Sequence, residues 1–304
     1  ISWRERHDIT SGHRPQQRMN QRVRKSRSEL LQRWARSARL SFLGSLLMHG
    51  ELWWRLTDRE VRGRYRGSVL GWGWTLITPL LMLAVYTFVF STVFRARWSG
   101  LEQAGPIGFA INLFAGLIVF NVFAECVTQA PTLILSNANY VTKVIFPLEI
   151  LASVSVATAL FHAATSTLVL LVFELLATHT LPLTLLWLPL VWLPLGLGCL
   201  ALSWLLSALG VFLRDLGQMI GVAVSMLMFL STVFYPLSAL PERWQPLLGL
   251  NPLVRVIDQS RRVLVQSENP SWRYLMIGTL LTLVLAELSY RLFCRARRGF
   301  ADVL

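Results

Sequence analysis

The sequence predicts an all-α membrane protein. It has six transmembrane helices, an N-terminal amphipathic interface helix, and re-entrant helices between spans five and six. Three observations lead there. The 304 residues are 54% hydrophobic and only 15% charged, with a mean hydropathy of +0.51, outside the balance of soluble domains. Uncharged runs recur at lengths of roughly 20 residues or more, enough at 1.5 Å per residue to cross a hydrocarbon core of about 30 Å. The net charge of +13 is gathered at the two ends, with sixteen Lys and Arg before residue 67 and four after residue 290. Both ends therefore belong in the cytoplasm, which requires an even number of spans.

The chain begins at Ile1 rather than Met, which reads as a processed N-terminus. Residues 1–45 form a basic arm rich in Arg, Gln and Ser, with no apolar core long enough for a signal peptide. Residues 46–67 read as the interface helix. Glu51 with Arg55, Asp58 with Arg62 and Glu60 with Arg64 are acid-to-base pairs at i,i+4, each contributing about 0.2–0.5 kcal/mol on an isolated helix. Leu47, Trp54, Val61 and Tyr65 fall on another stripe, so the helix suits the headgroup plane. Gly63, Gly67, Gly71 and Gly73 loosen the turn into the first span.

Residues 68–295 hold the spans, at about 69–94, 107–128, 148–174, 182–211, 217–238 and 273–292, and residues 296–304 are a cytoplasmic tail. Pro182, Pro189 and Pro194 divide a run too long for one crossing, making its first part a short external turn. The last span is the weakest, being short and carrying Glu287. Residues 129–149, QAPTLILSNANYVTKVIFPLE, are too polar to cross and too apolar for a loop in water, which suits a short cytoplasmic helix packed on a partner. Residues 234–256 contain Pro236, Pro241, Pro246 and Pro252. Irregular backbone of this kind is tolerated at membrane depth only where protein or a water-filled cavity surrounds it, hence the re-entrant reading. The external segment 240–273 nevertheless carries Arg243, Arg255, Arg261, Arg262 and Arg273, against the charge rule.

No catalytic centre stands out. The sequence lacks G-x-x-x-x-G-K-[ST], and its only lysines are Lys25 and Lys143, so it cannot hold nucleotide phosphates in the P-loop manner. It has no H-E-x-x-H, G-x-S-x-G or Cys/His cluster, and Cys126, Cys199 and Cys294 suggest no disulfide framework. His162 reads as a core or pore-lining group. Polar residues inside spans usually face an interior or a cavity, which makes Asn112, Asn121, Glu125, Glu174, Gln218 and Glu287 candidates. Trp74, Tyr86 and Phe90 could stack on sugar rings or pack against lipid.

Five arginines lie between residues 55 and 66. Arg55, Arg59, Arg62 and Arg66, spaced 4, 3 and 4, form one basic stripe for a phosphate headgroup, to which arginine can make two charge-assisted bonds. Arg62 and Arg64 have acidic residues four positions earlier, whereas Arg59 and Arg66 do not. The reading singles out Arg59 and Arg66 as the pair facing phosphate.

REVRGRYRGSVLGWGWTLITPLLMLAVYTFVFSTVF (59–94), NANYVTKVIFPLEI (137–150), RDLGQ, FYPLSALPERW and LNPLVRVIDQSRRVL (within 214–265) resemble, in order and spacing, ABC-2 type permeases that export bacterial cell-surface polysaccharides such as O-antigen, capsule and teichoic acid. The basic arm is not a family requirement. The resemblance implies an inner-membrane homodimer forming a channel, served by two copies of a separate ABC ATPase subunit that holds ATP and Mg. This chain would carry no cofactor of its own and bind no nucleic acid. It implies a substrate carried on undecaprenyl diphosphate, in contact with membrane lipid. Asn112, Asn121, Gln218, Trp74, Tyr86 and Phe90 would line the channel. Ser136, Asn137, Asn139, Tyr140 and Lys143 would couple to the ATPase, and Tyr235, Pro236, Trp244 and Asn251 would gate the external mouth. The competing readings are an ABC-2 exporter of drugs or small lipids and a membrane enzyme acting on polyprenyl-linked sugars.

Overall fold

The computed structural model describes residues 41–89, 105–142, 146–179 and 182–303. The chain divides into two compact units, Ile1–Met48 and His49–Leu304. In the first, α1 (Phe42–Met48) buries Phe42 and Ser45. The second holds α2 (Gly50–Tyr65), α3 (Trp74–Thr87), α4 (Gly105–Gln129), α5 (Ala138–Thr142), α6 (Glu149–Thr178), α7 (Leu188–Phe212), α8 (Leu216–Leu230), α9 (Gln245–Gly249), α10 (Pro252–Leu264), α11 (Trp272–Ala296) and α12 (Phe300–Val303), joined by 3-10 turns. Among the described residues there is no strand.

Among the described residues, four segments are long and apolar enough to cross a membrane: Ile107–Thr132, Glu149–Ala177, Leu183–Phe212 and Trp272–Gly299. The last, expected to be the weakest, is among them, because its helix runs longer than the apolar stretch alone; within it Glu287 pairs with Arg291 at 2.7 Å. Two expected spans look different. The helical part of the first is α3, and the outer part from residue 90, with Phe90, lies outside the described residues. The fifth is the 15-residue α8, which stops at Leu230 rather than near 238. Its end is broken at Thr232, whose φ is +54°.

The core is built around α4, most of whose length is buried. It packs on α6, α7, α8 and α10, while α7 lies along α11. Small residues allow the α7–α11 approach, with Gly198 facing Thr282 and Gly278 facing Pro194. Trp204 meets Tyr290 edge-on at 5.2 Å and donates its Nε1–H to the Glu149 carbonyl at 2.9 Å.

One arginine replaces the missing helical hydrogen bonds after α8. Arg261, on α10 and 4% exposed, donates Nε–H to the Asn112 carbonyl at 2.9 Å, Nη1–H to Thr232 O at 2.9 Å and Nη2–H to Val233 O at 2.7 Å. Its bed includes Gly116, where an added Cβ would lie 2.5 Å from Nη2. The two carbonyls of this buried, irregular backbone are thereby paired.

Residues 129–149 do not form one helix. After α4 come two 3-10 turns, Ala130–Thr132 and Leu135–Asn137, and then the short α5. Pro131 ends the α-helical ladder. The first turn is pressed onto α7, where a Cβ on Gly210 would collide with the Pro131 carbonyl oxygen. Where two re-entrant helices were expected, the 3-10 turn Leu237–Ala239 and the five-residue α9 precede α10, which buries Leu253, Val254 and Ile257.

Candidate functional site

α2 begins after His49 and is amphipathic, though its buried side differs from the expected stripe. Leu56, Thr57 and Val61 are buried against α6, while Trp54 is 66% exposed. The helix stops at Arg66, whose extended backbone is followed by Gly67 at φ +85°. Gly71, at φ +48°, completes the turn towards α3. Of the four glycines expected to loosen the turn, these two adopt left-handed backbone that a Cβ disfavours.

The arginines of α2 separate by partner. Arg55 binds Glu51 at 2.6 Å and Arg62 binds Asp58 at 2.7 Å, both exposed pairs on the helix surface. Arg64 does not bind Glu60. It reaches across to α4 and α6, donating Nη2–H to Glu125 Oε1 at 2.6 Å and Nη1–H to His162 Nδ1 at 2.9 Å. The exposed position of Glu60 offers only a screened, weakly favourable pair. Glu125 and His162 are half-buried, where an ion pair is screened less. Arg59 and Arg66 have no carboxylate partner among the described residues. Arg59 instead donates to the Tyr140 hydroxyl at 3.1 Å.

The Arg64 cluster opens onto a cavity of about 500 Å³ between the end of α2, α3, α4 and α6. Tyr65 and Trp74 give it aromatic wall, and Thr78, Asn121 and Thr128 give it polar groups. Tyr65 also meets His162 edge-on at 6.2 Å, and burial pushes its phenol pKa up, so the hydroxyl stays protonated. A smaller cavity of about 180 Å³ joins α2 to the stretch after α4, lined by Arg59, Thr132, Ser136 and Asn137. Tyr140 stacks on Phe146 at 4.4 Å, and Asn139 is exposed. Lys143 lies outside the described residues.

The remaining predicted positions are dispersed. Trp74 and Asn121 line the large cavity. Tyr86 is half-buried near the end of α3, and Gln218 is exposed on α8. Asn112 is fully buried and donates to the Gly108 carbonyl at 2.9 Å. On the far side, Tyr235 donates to Phe229 O at 2.6 Å, and Pro236 precedes the 3-10 turn. Trp244 is half-exposed under the Arg243 guanidinium at 5.6 Å. Asn251 caps α10, accepting from the Leu253 N–H at 3.0 Å and donating to Ser231 Oγ at 3.1 Å.

Sequence reasoning weighed Glu125 and His162 separately and missed that they meet at Arg64. A signal was present. Glu125 with Thr128 and Gln129, and His162 with Thr165 and Ser166, are polar triplets at i, i+3, i+4 on two neighbouring apolar helices.

Comparison with known proteins agrees with this architecture. The profile of a family described as ABC-2 type transporter matches residues 51–265. An O-antigen export system permease protein RfbA of Myxococcus xanthus is 28% identical over 249 residues, 81% of this chain and 93% of that protein. A Klebsiella pneumoniae protein of the same name is 24% identical over 250 residues, 82% of this chain and 93% of its own length. The polysialic acid transport protein KpsM of Escherichia coli is 26% identical over 246 residues, 77% and 90% of the two chains.

Proposed function

This chain belongs to the ABC-2 type transporter family, and from that premise we propose that it is the permease subunit of an ATP-driven exporter of lipid-linked cell-surface polysaccharide, O-antigen being the type. The observation that carries this is the near-complete coverage of relatives named as O-antigen export permeases, 93% of their length. As a permease it relies on an ABC ATPase partner, where ATP and Mg²⁺ are held. Two permease copies would form the channel over two ATPase copies in the bacterial inner membrane. Each permease would cross six times, with both termini in the cytoplasm. The substrate would ride on undecaprenyl diphosphate.

The diphosphate is gathered at the cytoplasmic interface by Arg59 and Arg66, the members of the stripe with no carboxylate of their own. Arg55 and Arg62 are engaged by Glu51 and Asp58 and hold the helix that presents them. The stretch from residue 129 to 143 receives the ATPase's motion. The hydrogen bond from Arg59 to Tyr140 supports a reading in which headgroup capture lies beside the coupling point. Tyr235, Pro236, Trp244 and Asn251 belong to the external gate.

The test is the pair Arg59→Ala and Arg66→Ala in the assembled transporter. Hydrogen bonds to charged groups are worth about 1.5–3 kcal/mol, so each variant should lower affinity for the glycolipid, read from stimulated ATP hydrolysis, by about tenfold or more. Arg55→Ala and Arg62→Ala should lower it less. Unchanged export and unchanged stimulation in the first pair would remove the headgroup role.

A further inference from the structure

The large cavity beside Arg64 differs chemically from the stripe outside it. The charge of Arg64 is matched at contact distance by Glu125, 2.6 Å away, and His162 Nδ1 lies between the two, 2.9 Å from Arg64 Nη1 and 3.4 Å from Glu125 Oε2. With a carboxylate built into its wall, this pocket is a poor host for a diphosphate, which would have to displace Glu125 or sit against it. Its other groups suit a different guest. Tyr65 and Trp74 offer ring faces, while Asn121 and Thr128 offer an amide and a hydroxyl. The Glu125 carboxylate is a double acceptor for neighbouring hydroxyls. Nε2 of His162 is buried and has no hydrogen-bond partner among the described residues. About 500 Å³ is within the usual range for a small-molecule site, roughly 300–1,000 Å³.

We propose that this cavity binds an uncharged sugar ring of the glycan, the one that follows the diphosphate, while the diphosphate stays with Arg59 and Arg66 outside. The apolar face of the ring lies on Tyr65 or Trp74, and its hydroxyl edge meets Asn121, Thr128 and Glu125. Arg66 directly follows Tyr65 at the end of α2, so headgroup and first sugar would be met by neighbouring residues. The inference rests on the export reading above and adds to it a subsite that discriminates by sugar hydroxyls rather than by charge.

The experiment uses the permease with its ATPase in lipid nanodiscs. Cys294→Ala removes the half-buried thiol, and Ser166→Cys places a reporter at the cavity wall. The rate of maleimide labelling at residue 166 is measured with a panel of free hexoses, N-acetylhexosamines and deoxyhexoses, and with inorganic pyrophosphate. At ten times its dissociation constant a bound saccharide should slow labelling about tenfold, and pyrophosphate should leave the rate unchanged. In Glu125→Gln the arginine loses its counter-charge, and pyrophosphate should then protect. Protection of the Glu125-containing complex by pyrophosphate overturns the proposal. So does a flat response to every saccharide in a complex whose ATP hydrolysis is stimulated by glycolipid. Loss of that stimulation in the unmodified complex instead contradicts the export reading. The comparison in the Glu125-containing complex decides even if Glu125→Gln fails to assemble.

Discussion

Arg261 shows how much a residue's role depends on what surrounds it. The sequence places it in an external segment where five arginines offend the charge rule. The structure accounts for four of the five. Arg261 is buried on three carbonyls, and Arg255 lies over Tyr274 at 4.6 Å and donates to Gly249 O. Arg262 pairs with Glu268 at 2.8 Å, and Arg243 sits over Trp244. Charges engaged within the fold are weaker guides to orientation than those at the termini. Leaving a buried acceptor without a donor costs about 1–3 kcal/mol each, so Arg261→Met should destabilise by at least about 3 kcal/mol. The Tm of the purified chain should fall by about 6 °C or more. Gly116→Ala should act in the same direction, because the guanidinium is pinned and cannot move aside. The arginines of α2 carry a related lesson. Pairing at i,i+4 is legible for Arg55 and Arg62 because both partners share one helix. It fails for Arg64, because Glu125 lies 61 residues away and sequence spacing says nothing of tertiary partners.

At the scale of elements, apolar length made most helices readable, and proline marked where they break. What the sequence could not show is how the breaks are held. The turn at residues 130–132 is fixed by its contact with Gly210 on α7, a position that reads as one more small residue in an apolar run. Gly210→Ala must displace the Pro131 carbonyl, at about 1–3 kcal/mol of overpacking. It should lower ATP turnover of the assembled complex while leaving headgroup affinity nearly unchanged. The start of α6 is tied to the chain's end by Arg297 and Glu149 at 2.6 Å, with Glu149 3% exposed. Phe300 then packs between Phe293 and Phe212. A double-mutant cycle with Arg297→Met and Glu149→Gln should give a coupling of about 1 kcal/mol or more in thermal stability; additivity would mean that the pair does not hold the two segments together. The shortened α8 was also illegible. Val233 and Phe234 continue the apolar run, and the partners that permit an earlier stop come from residues further along the chain, Arg261 on Thr232 O and Val233 O and Tyr235 on Phe229 O.

For the whole molecule, charge at the two ends favours cytoplasmic termini and an even number of crossings. Single cysteines at positions 44 and 298, in a chain lacking its own three, should react only from the cytoplasmic side. Cysteines at 243 and 268 should react only from outside. The opposite pattern would invert the reading. An ABC ATPase partner follows from family membership rather than from any catalytic group on this chain, and in the proposed reading α2 with its arginine stripe would supply the entry chemistry. The central claim is tested most directly by reconstituting the permease with its ATPase in proteoliposomes and following a lipid-linked polysaccharide labelled on its sugar. The account predicts that the glycan reaches the opposite face only with ATP, both subunits, and Arg59 and Arg66 in place. Translocation by the permease alone, or none by the complete complex while it hydrolyses ATP in response to small hydrophobic compounds, would contradict it.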